Sequence, residues 1–190
     1  MEAGLDTGPV LLTKKTPINA DDTTQTLHDR LATLGAAAIT EALDQLRRGA
    51  AIDETPQASV GVTYAQKIAA CEAMIDWSAP AAYIERAVRA YTPAPGAATL
   101  FRGERIKLWR ARLAIANDVP LLATLKPGTL IRQGSSDLAV VCGDSGATGQ
   151  LLVIEEIQRP GGKRAAISGW LSSPHAPATG DVFFSTESGD

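Results

Sequence analysis

Between residues 97 and 158 the chain is cut into short apolar segments by turn-forming residues, and this punctuation limits its fold more than any other feature. "AATLF" is followed by Arg102-Gly103-Glu104 and then by "RIKLWRARLAI". "GTLIRQ", "DLAVVCG" and "LLVIEEI" come next, separated by glycine-rich or proline-rich turns. Such short runs, apolar and bounded by turn formers, read as strands. Five strands at this spacing fit a small closed barrel of the OB (oligonucleotide-binding) type. Alternation along "RIKLWRARLAI" puts Arg105, Lys107 and Trp109 on one face and Ile106, Leu108 and Arg110 on the other.

The chain ahead of this region has a different period. "GPVLLTKKTPI" reads as a strand from Pro9 to about Lys15. Asp21 and Asp22 are helix-capping residues, and Leu27, Leu31 and Leu34, then Ile39, Leu43 and Leu46, recur at helical spacing. Gly35 is expected to divide this stretch into two helices, and Gly49 to end the second after Arg47-Arg48. Residues 51–61 carry a proline and no sustained period, which predicts a linker. "VTYAQKIAACEAMIDWS" suggests a short helix and a turn, with Ser78 capping the next helix and Pro80 in its first turn. In that helix Ile84, Ala87, Val88 and Tyr91 form the buried stripe, Arg86 and Arg89 lie toward the other side, and Pro93 and Pro95 stop it. The Pro-, Ser- and Gly-rich tail after His175 is expected to fray.

Composition excludes several classes. A chain of 190 residues with 45% hydrophobic and 21% charged residues is that of a soluble globular protein of one domain or two small ones. It has no apolar run of about 18 residues to span a membrane. "MEAGLDTG" lacks the basic and apolar regions of an ordinary secretory signal, so none is expected. Cys71 and Cys142 make no disulfide framework, and no C-x-x-C or paired-His spacing points to a metal, which favours a reducing, cytoplasmic setting. Charge is unevenly spread: residues 1–61 hold 5 basic and 9 acidic side chains, residues 62–190 hold 13 and 12. Arg86, Arg89, Arg102, Arg105, Lys107, Arg110 and Arg112 are opposed within their window only by Glu104. Such a cluster suits a polyanion, or equally a solvated helix face and a solvated hairpin.

Asp6-Thr7-Gly8 admits three readings. An aspartic protease needs two such loops so that paired carboxylates share a proton, and this chain has one, followed by Pro9 and by a helical region. A plain turn built on Gly4, Gly8 and Pro9 stays open. The third is a folate-dependent formyl-transfer loop. His28 and Asp29 read as surface residues of the first helix.

"GLDTGPVLLTKKTPINADDTTQTLHDRLATLGAAAITEALDQLRRG" resembles the end of the folate-binding domain of methionyl-tRNA formyltransferases. "VTYAQKI", "IDWS", "RAYTPAPGA", "GERIKLW" and "GKRAAISGWL" extend the resemblance, in order, over nearly the whole chain. It implies an α/β remnant over residues 1–50, a strand plus helices from a nucleotide-type fold, and an OB-like domain with a helical entry over residues 62–190. The family's Ser-Leu-Leu-Pro segment and Asn-x-His pair do not occur, so Met1 is expected to be internal to a longer protein and the chain to be its C-terminal part.

The activity implied is transfer of a formyl group from 10-formyltetrahydrofolate to the amine of initiator methionyl-tRNA, without a metal, in an enzyme that is monomeric when full length. Asp6 aligns with the family's proton-relaying aspartate, and Gly4, Leu5 and Gly8 with the loop that meets the folate. Without the Asn and His, this chain is expected to be inactive alone. The tRNA contacts implied are Lys67, at a position the family keeps basic, together with Arg86, Arg89, Arg105, Lys107, Arg110 and Arg112. Ala94 stands where the family often carries a tryptophan, and Trp77, Trp109 and Trp170 read as core or edge packing. Two alternatives are a sister enzyme of the same plan, acting on a sugar-nucleotide amine or hydrolysing formyl-folate, and a non-catalytic RNA-binding module.

Overall fold

The computed structural model describes residues 4, 6–49, 53–114, 124–143 and 150–185. They divide into two compact units, Met1–Lys67 and Ile68–Asp190.

In the first unit one helix, α1 (Thr24–Arg47), replaces the two expected. Gly35 sits inside it with open space where a side chain would be, so its lost backbone entropy weakens the helix locally but does not break it. The cap is Thr23, not Asp21 or Asp22: Thr26 N–H donates to Thr23 Oγ1 at 3.2 Å, and Thr23 N–H to Thr26 Oγ1 at 3.0 Å. Asp22 is freed for another task. It accepts from the backbone of Asn19 at 2.7 Å, from Thr26 Oγ1 at 3.0 Å and from both terminal nitrogens of Arg30, which also reaches Pro17 O at 3.0 Å. The Arg30 guanidinium first, then the Asn19 amide, hold the Asp22 carboxyl down at about 2.

The strand expected from Pro9 to Lys15 does not form. Val10 exchanges backbone hydrogen bonds with Thr55, at 2.8 and 2.9 Å, and the rest of the segment runs without a ladder. On α1, Leu31, Ile39, Leu43 and Leu46 are exposed while Leu27 and Leu34 are half-buried, and because the helix is continuous the two leucine sets do not share one face, so the single apolar stripe read from the sequence is only partly covered.

The second unit begins extended rather than helical. Ala73 and Ile75 are drawn into the core, and Ile75 N–H and Ala98 N–H bond across to Ala98 O and Ala73 O, each at 2.8 Å. This pairing removes the short helix expected over "VTYAQKIAACEAMIDWS". Ser78 turns back onto Asp76 instead of capping α2 (Ala81–Ala90). The cap comes from far along the chain: Gln150 Oε1 accepts from Ala81 N–H at 2.9 Å.

The sheet is a curled half-barrel of β1 (Ala98–Phe101), β2 (Glu104–Leu113), β3 (Leu130–Gln133), β4 (Asp137–Cys142), β5 (Gln150–Gln158) and β6 (Ala165–Ala166). Its order is β1-β2-β5-β4-β3, all antiparallel, with β6 beside the far end of β5. The five strands read from the sequence are present, and α3 (Ile167–Leu171) follows β6.

The described part of the tail, up to residue 185, is paired rather than frayed. Residues 180–184 lie between the two edges of the half-barrel: Leu100 and Phe184 exchange hydrogen bonds at 2.9 Å, Leu130 N–H donates to Asp181 O at 2.7 Å, and Phe183 N–H to Gly128 O at 2.9 Å. Gly128 has φ +90° and would put a Cβ 2.3 Å from Phe183 O, so only glycine permits this approach. Phe183, 1% exposed, packs its ring against Trp77, Phe101 and Trp170 with centroids 5.6, 5.8 and 6.3 Å away. Ile84 and Val88 of α2, Ile106 and Leu108 of β2 and Leu152 and Ile154 of β5 complete the core. A second close approach, Gly143 against Ser78 O where a Cβ would sit 1.6 Å away, seats the end of β4 on the α2 entry.

Phe183→Ala removes the ring on which three aromatic contacts converge. The expected cost is about 3–5 kcal/mol, read from denaturant unfolding followed by near-ultraviolet circular dichroism. A cost below about 1 kcal/mol would show that the tail is not part of the core.

Because the folded-state value of Asp22 lies below its ordinary 3.8, its contribution is complete above about pH 4 and is lost as pH falls toward 2. Asp22→Asn is therefore expected to lower the melting temperature of the helical signal at pH 6, with the gap to the parent closing toward pH 2. A gap independent of pH would contradict this assignment.

Candidate nucleic-acid interface

β2 carries most of the basic residues, and its path decides where they point. Cα partners run Leu108 with Ile157, Arg110 with Glu156 and Ala111 with Ile154, so Trp109 is an extra residue on β2 and Glu155 a compensating one on β5. The bulge changes the parity of the strand. Ile106, Leu108 and Ala111 point inward, and Arg110, expected beside Leu108, is turned outward with a side chain 67% exposed. Arg105, Lys107, Arg110 and Arg112 thus stand on one exterior face.

Their electrostatics are partly balanced by β5. Glu155 accepts from Arg110 Nε at 2.8 Å and from Arg112 Nε at 3.2 Å, while Glu156 is paired with Arg164. Arg105 and Lys107 have no hydrogen-bond or ion-pair partner among the described residues, and Lys107 lays its aliphatic stem over Gly96. Five cations against two carboxylates leave this face positive.

The other sequence candidates lie elsewhere. Ile84 and Val88 seat α2 on the core, and Arg86 is exposed on the opposite side of that helix. Arg89 is held by Glu85 at 2.7 Å along the helix. Lys67 is exposed in the segment before the sheet.

Sequence reading does not single out three cations close to the β2 face. The Arg164 guanidinium stacks 5.1 Å from the centre of the Trp109 ring, Arg159 donates to Glu104 at 2.9 Å, and Lys163 is exposed between them in sequence. Their signal is "RPGGKR", two glycines inside a basic triplet. Trp109, the bulge residue, donates from Nε1 to Gln158 Oε1 at 3.1 Å and is half-buried, which makes it edge packing; Trp77 and Trp170 are core.

The Asp6 loop belongs to the first unit. Asp6 has φ 56°, a left-handed conformation that aspartate tolerates in turns. Gln57 Nε2 bonds to Asp6 O at 2.9 Å and Gly8 O at 2.7 Å, so the loop is held through its backbone. The exposed Asp6 carboxylate has no partner among the described residues, and Gly4 leaves room for Thr7, whose hydroxyl donates to Gly4 O at 3.1 Å. Leu5 lies outside the described residues.

Cys142 is buried and its thiol pushed up to about 12 by burial, so it is no nucleophile, and among the described residues no cluster of His, Cys, Asp and Glu is suited to a metal. Nor is any described helix long and apolar enough to cross a membrane.

Residues 67–175 match the model of the formyl transferase C-terminal domain family. A methionyl-tRNA formyltransferase of Dechloromonas aromatica is 45% identical over 183 residues, 96% of this chain and 54% of that protein. One from Polynucleobacter asymbioticus is 44% identical over 178 residues, 93% of this chain and 51% of that protein. The chain thus spans about half the length of the curated relatives it matches. Among solved structures, a variant of HypX from Aquifex aeolicus superposes with a TM-score of 0.61 at 19% identity, over 90% of this chain and 30% of that one. HypX in complex with tetrahydrofolic acid gives 0.60 at 19% identity, over 90% and 28%. The match over residues 67–175, more than half of the sequence, shows that this chain belongs to the formyl transferase C-terminal domain family.

Proposed function

We propose that this chain is the C-terminal portion of a methionyl-tRNA formyltransferase, and that the exterior face of β2 docks initiator methionyl-tRNA. The observation that carries the reading is the bulge at Trp109, which turns Arg110 out to join Arg105, Lys107 and Arg112. A row of cations along one strand follows a phosphate backbone and supplies affinity with little sequence preference. Arg86 and Arg89, and separately Lys67 in the first unit, are further proposed tRNA contacts. The domain limits are residues 1–50, a linker at 51–61 and 62–190, and the setting is cytoplasmic, with a monomeric full-length enzyme.

For the transfer itself, 10-formyltetrahydrofolate would supply the formyl carbon. Attack by the methionyl amine leaves an ammonium proton to remove and an oxyanion to stabilise. The Asp6 loop fits one edge of such a site: Gln57 clamps two backbone carbonyls and leaves the carboxylate free to take up and pass on a proton. Gly4, Leu5 and Gly8 would present backbone toward the folate. The sequence holds no Asn-x-His pair to act on the oxyanion, so the chain alone is expected to transfer no formyl group.

Binding of the purified chain to initiator tRNA, measured at two salt concentrations beside an Arg105→Ala, Lys107→Ala double variant, tests the docking reading. Affinity is expected to fall steeply with salt, and the variant to bind more weakly, with a salt slope smaller by about one for each phosphate it no longer neutralises. Absence of binding at low salt would overturn it.

A further inference from the structure

The β5–β6 connection borders a cavity of about 430 Å³ that opens to solvent. Its floor is apolar, with Ile157, Ala165, Ala166 and Trp170, and its rim carries Arg159 and Lys163. None of the described residues that line it is acidic. Gly161 and Gly169, which line it, have open space where a side chain would be. Arg159, on the rim, is anchored by Glu104 through Nη2 at 2.9 Å.

This cavity is tied to the basic face. Trp109 Nε1 bonds to Gln158 Oε1 at 3.1 Å, and Gln158 Nε2 bonds to Gly162 O at 2.9 Å, so the loop that rims the cavity is braced by the bulge residue of β2. Arg164, on the same loop, stacks over Trp109. An RNA strand following Arg105 and Lys107 would reach the rim.

We infer that this cavity binds one unpaired ribonucleotide of an RNA seated on β2, an inference that rests on the docking reading above. A small planar base fits the apolar floor, a volume within the usual range for ligand pockets, and the phosphate meets the exposed Lys163 at the rim. The glycines let the backbone come close to the ligand.

Gly169→Leu tests it. Gly169 lines the cavity inside α3, has no left-handed φ, and has no atom within 4 Å of where its Cβ would be, so the new side chain enters open space. Leucine is the better helix former, so the variant is expected to melt no lower than the parent. Binding of a short single-stranded oligoribonucleotide is expected to weaken at least about ten-fold, the scale on which one stacked base contributes. Lys163→Ala, which leaves the cavity open, is expected to weaken it with a reduced salt slope, and AMP should compete better than inorganic phosphate.

Equal affinity of Gly169→Leu and the parent for the oligoribonucleotide would overturn the inference, as would no binding by the parent. Competition by inorganic phosphate as strong as by AMP would overturn the base-binding half and leave a bare anion site. If tRNA binding still responds to Arg105→Ala, Lys107→Ala while Gly169→Leu changes nothing, the cavity fails and the docking face stands. If Gly169→Leu weakens oligoribonucleotide binding but the double variant does not weaken tRNA binding, the docking face fails, and with it the part of the inference that seats the RNA on β2, while nucleotide binding in the cavity stands.

Discussion

Residues 180–184 are bonded on both sides, to β1 through Leu100 and to the Gly128–Leu130 segment on the opposite edge. A curled sheet with two free edges would leave rows of backbone donors and acceptors unpaired. This segment satisfies both at once and carries Phe183 into the centre of the aromatic cluster. Trp77 adds a buried hydrogen bond to Thr99 Oγ1, at 2.9 Å, and Thr99 in turn donates to Phe184 O at 3.0 Å. Core, sheet edges and chain end are therefore one network, and the geometry of β2 and β5 depends on its closure.

The strands are legible because each is a short apolar run bounded by turns, and the α2 stripe because Ile84 and Val88 are one turn apart. What is not legible depends on partners distant in sequence. The bulge at Trp109 is set by its match with Glu155, and alternation alone sends Arg110 inward. The tail's composition suggests fraying, yet Phe183 is drawn inward by Trp77, Phe101 and Trp170. The cap of α2 is Gln150, 69 residues away, and no local pattern announces it. Pro9–Lys15 has the residues of a strand but finds only Thr55 to pair with among the described residues.

The candidate site is half legible for the same reason. Counting cations locates β2, but not which of them are paired: Glu155 neutralises part of Arg110 and Arg112, while Arg105 and Lys107 keep their charge. The cavity rim is hidden because glycines and alanines signal a site only once the backbone shows the space they leave. In the first unit the Asp6 carboxylate is exposed and its loop is held by Gln57, a residue 51 positions away in a stretch with the composition of a linker. Around Asp22 and Arg30 the charges are organised differently, and there the carboxylate seats the start of a helix.

Native-state hydrogen exchange on the whole chain tests the closure most directly. The amides of Leu100, Leu130, Phe183 and Phe184 all donate into the joined edges. If the segment is part of the cooperative core, these four should exchange with the same opening free energy as the amides of β2 and β5. Fast exchange of Phe183 and Phe184, with β2 and β5 still protected, would mean that the half-barrel stands without its tail and would contradict the account.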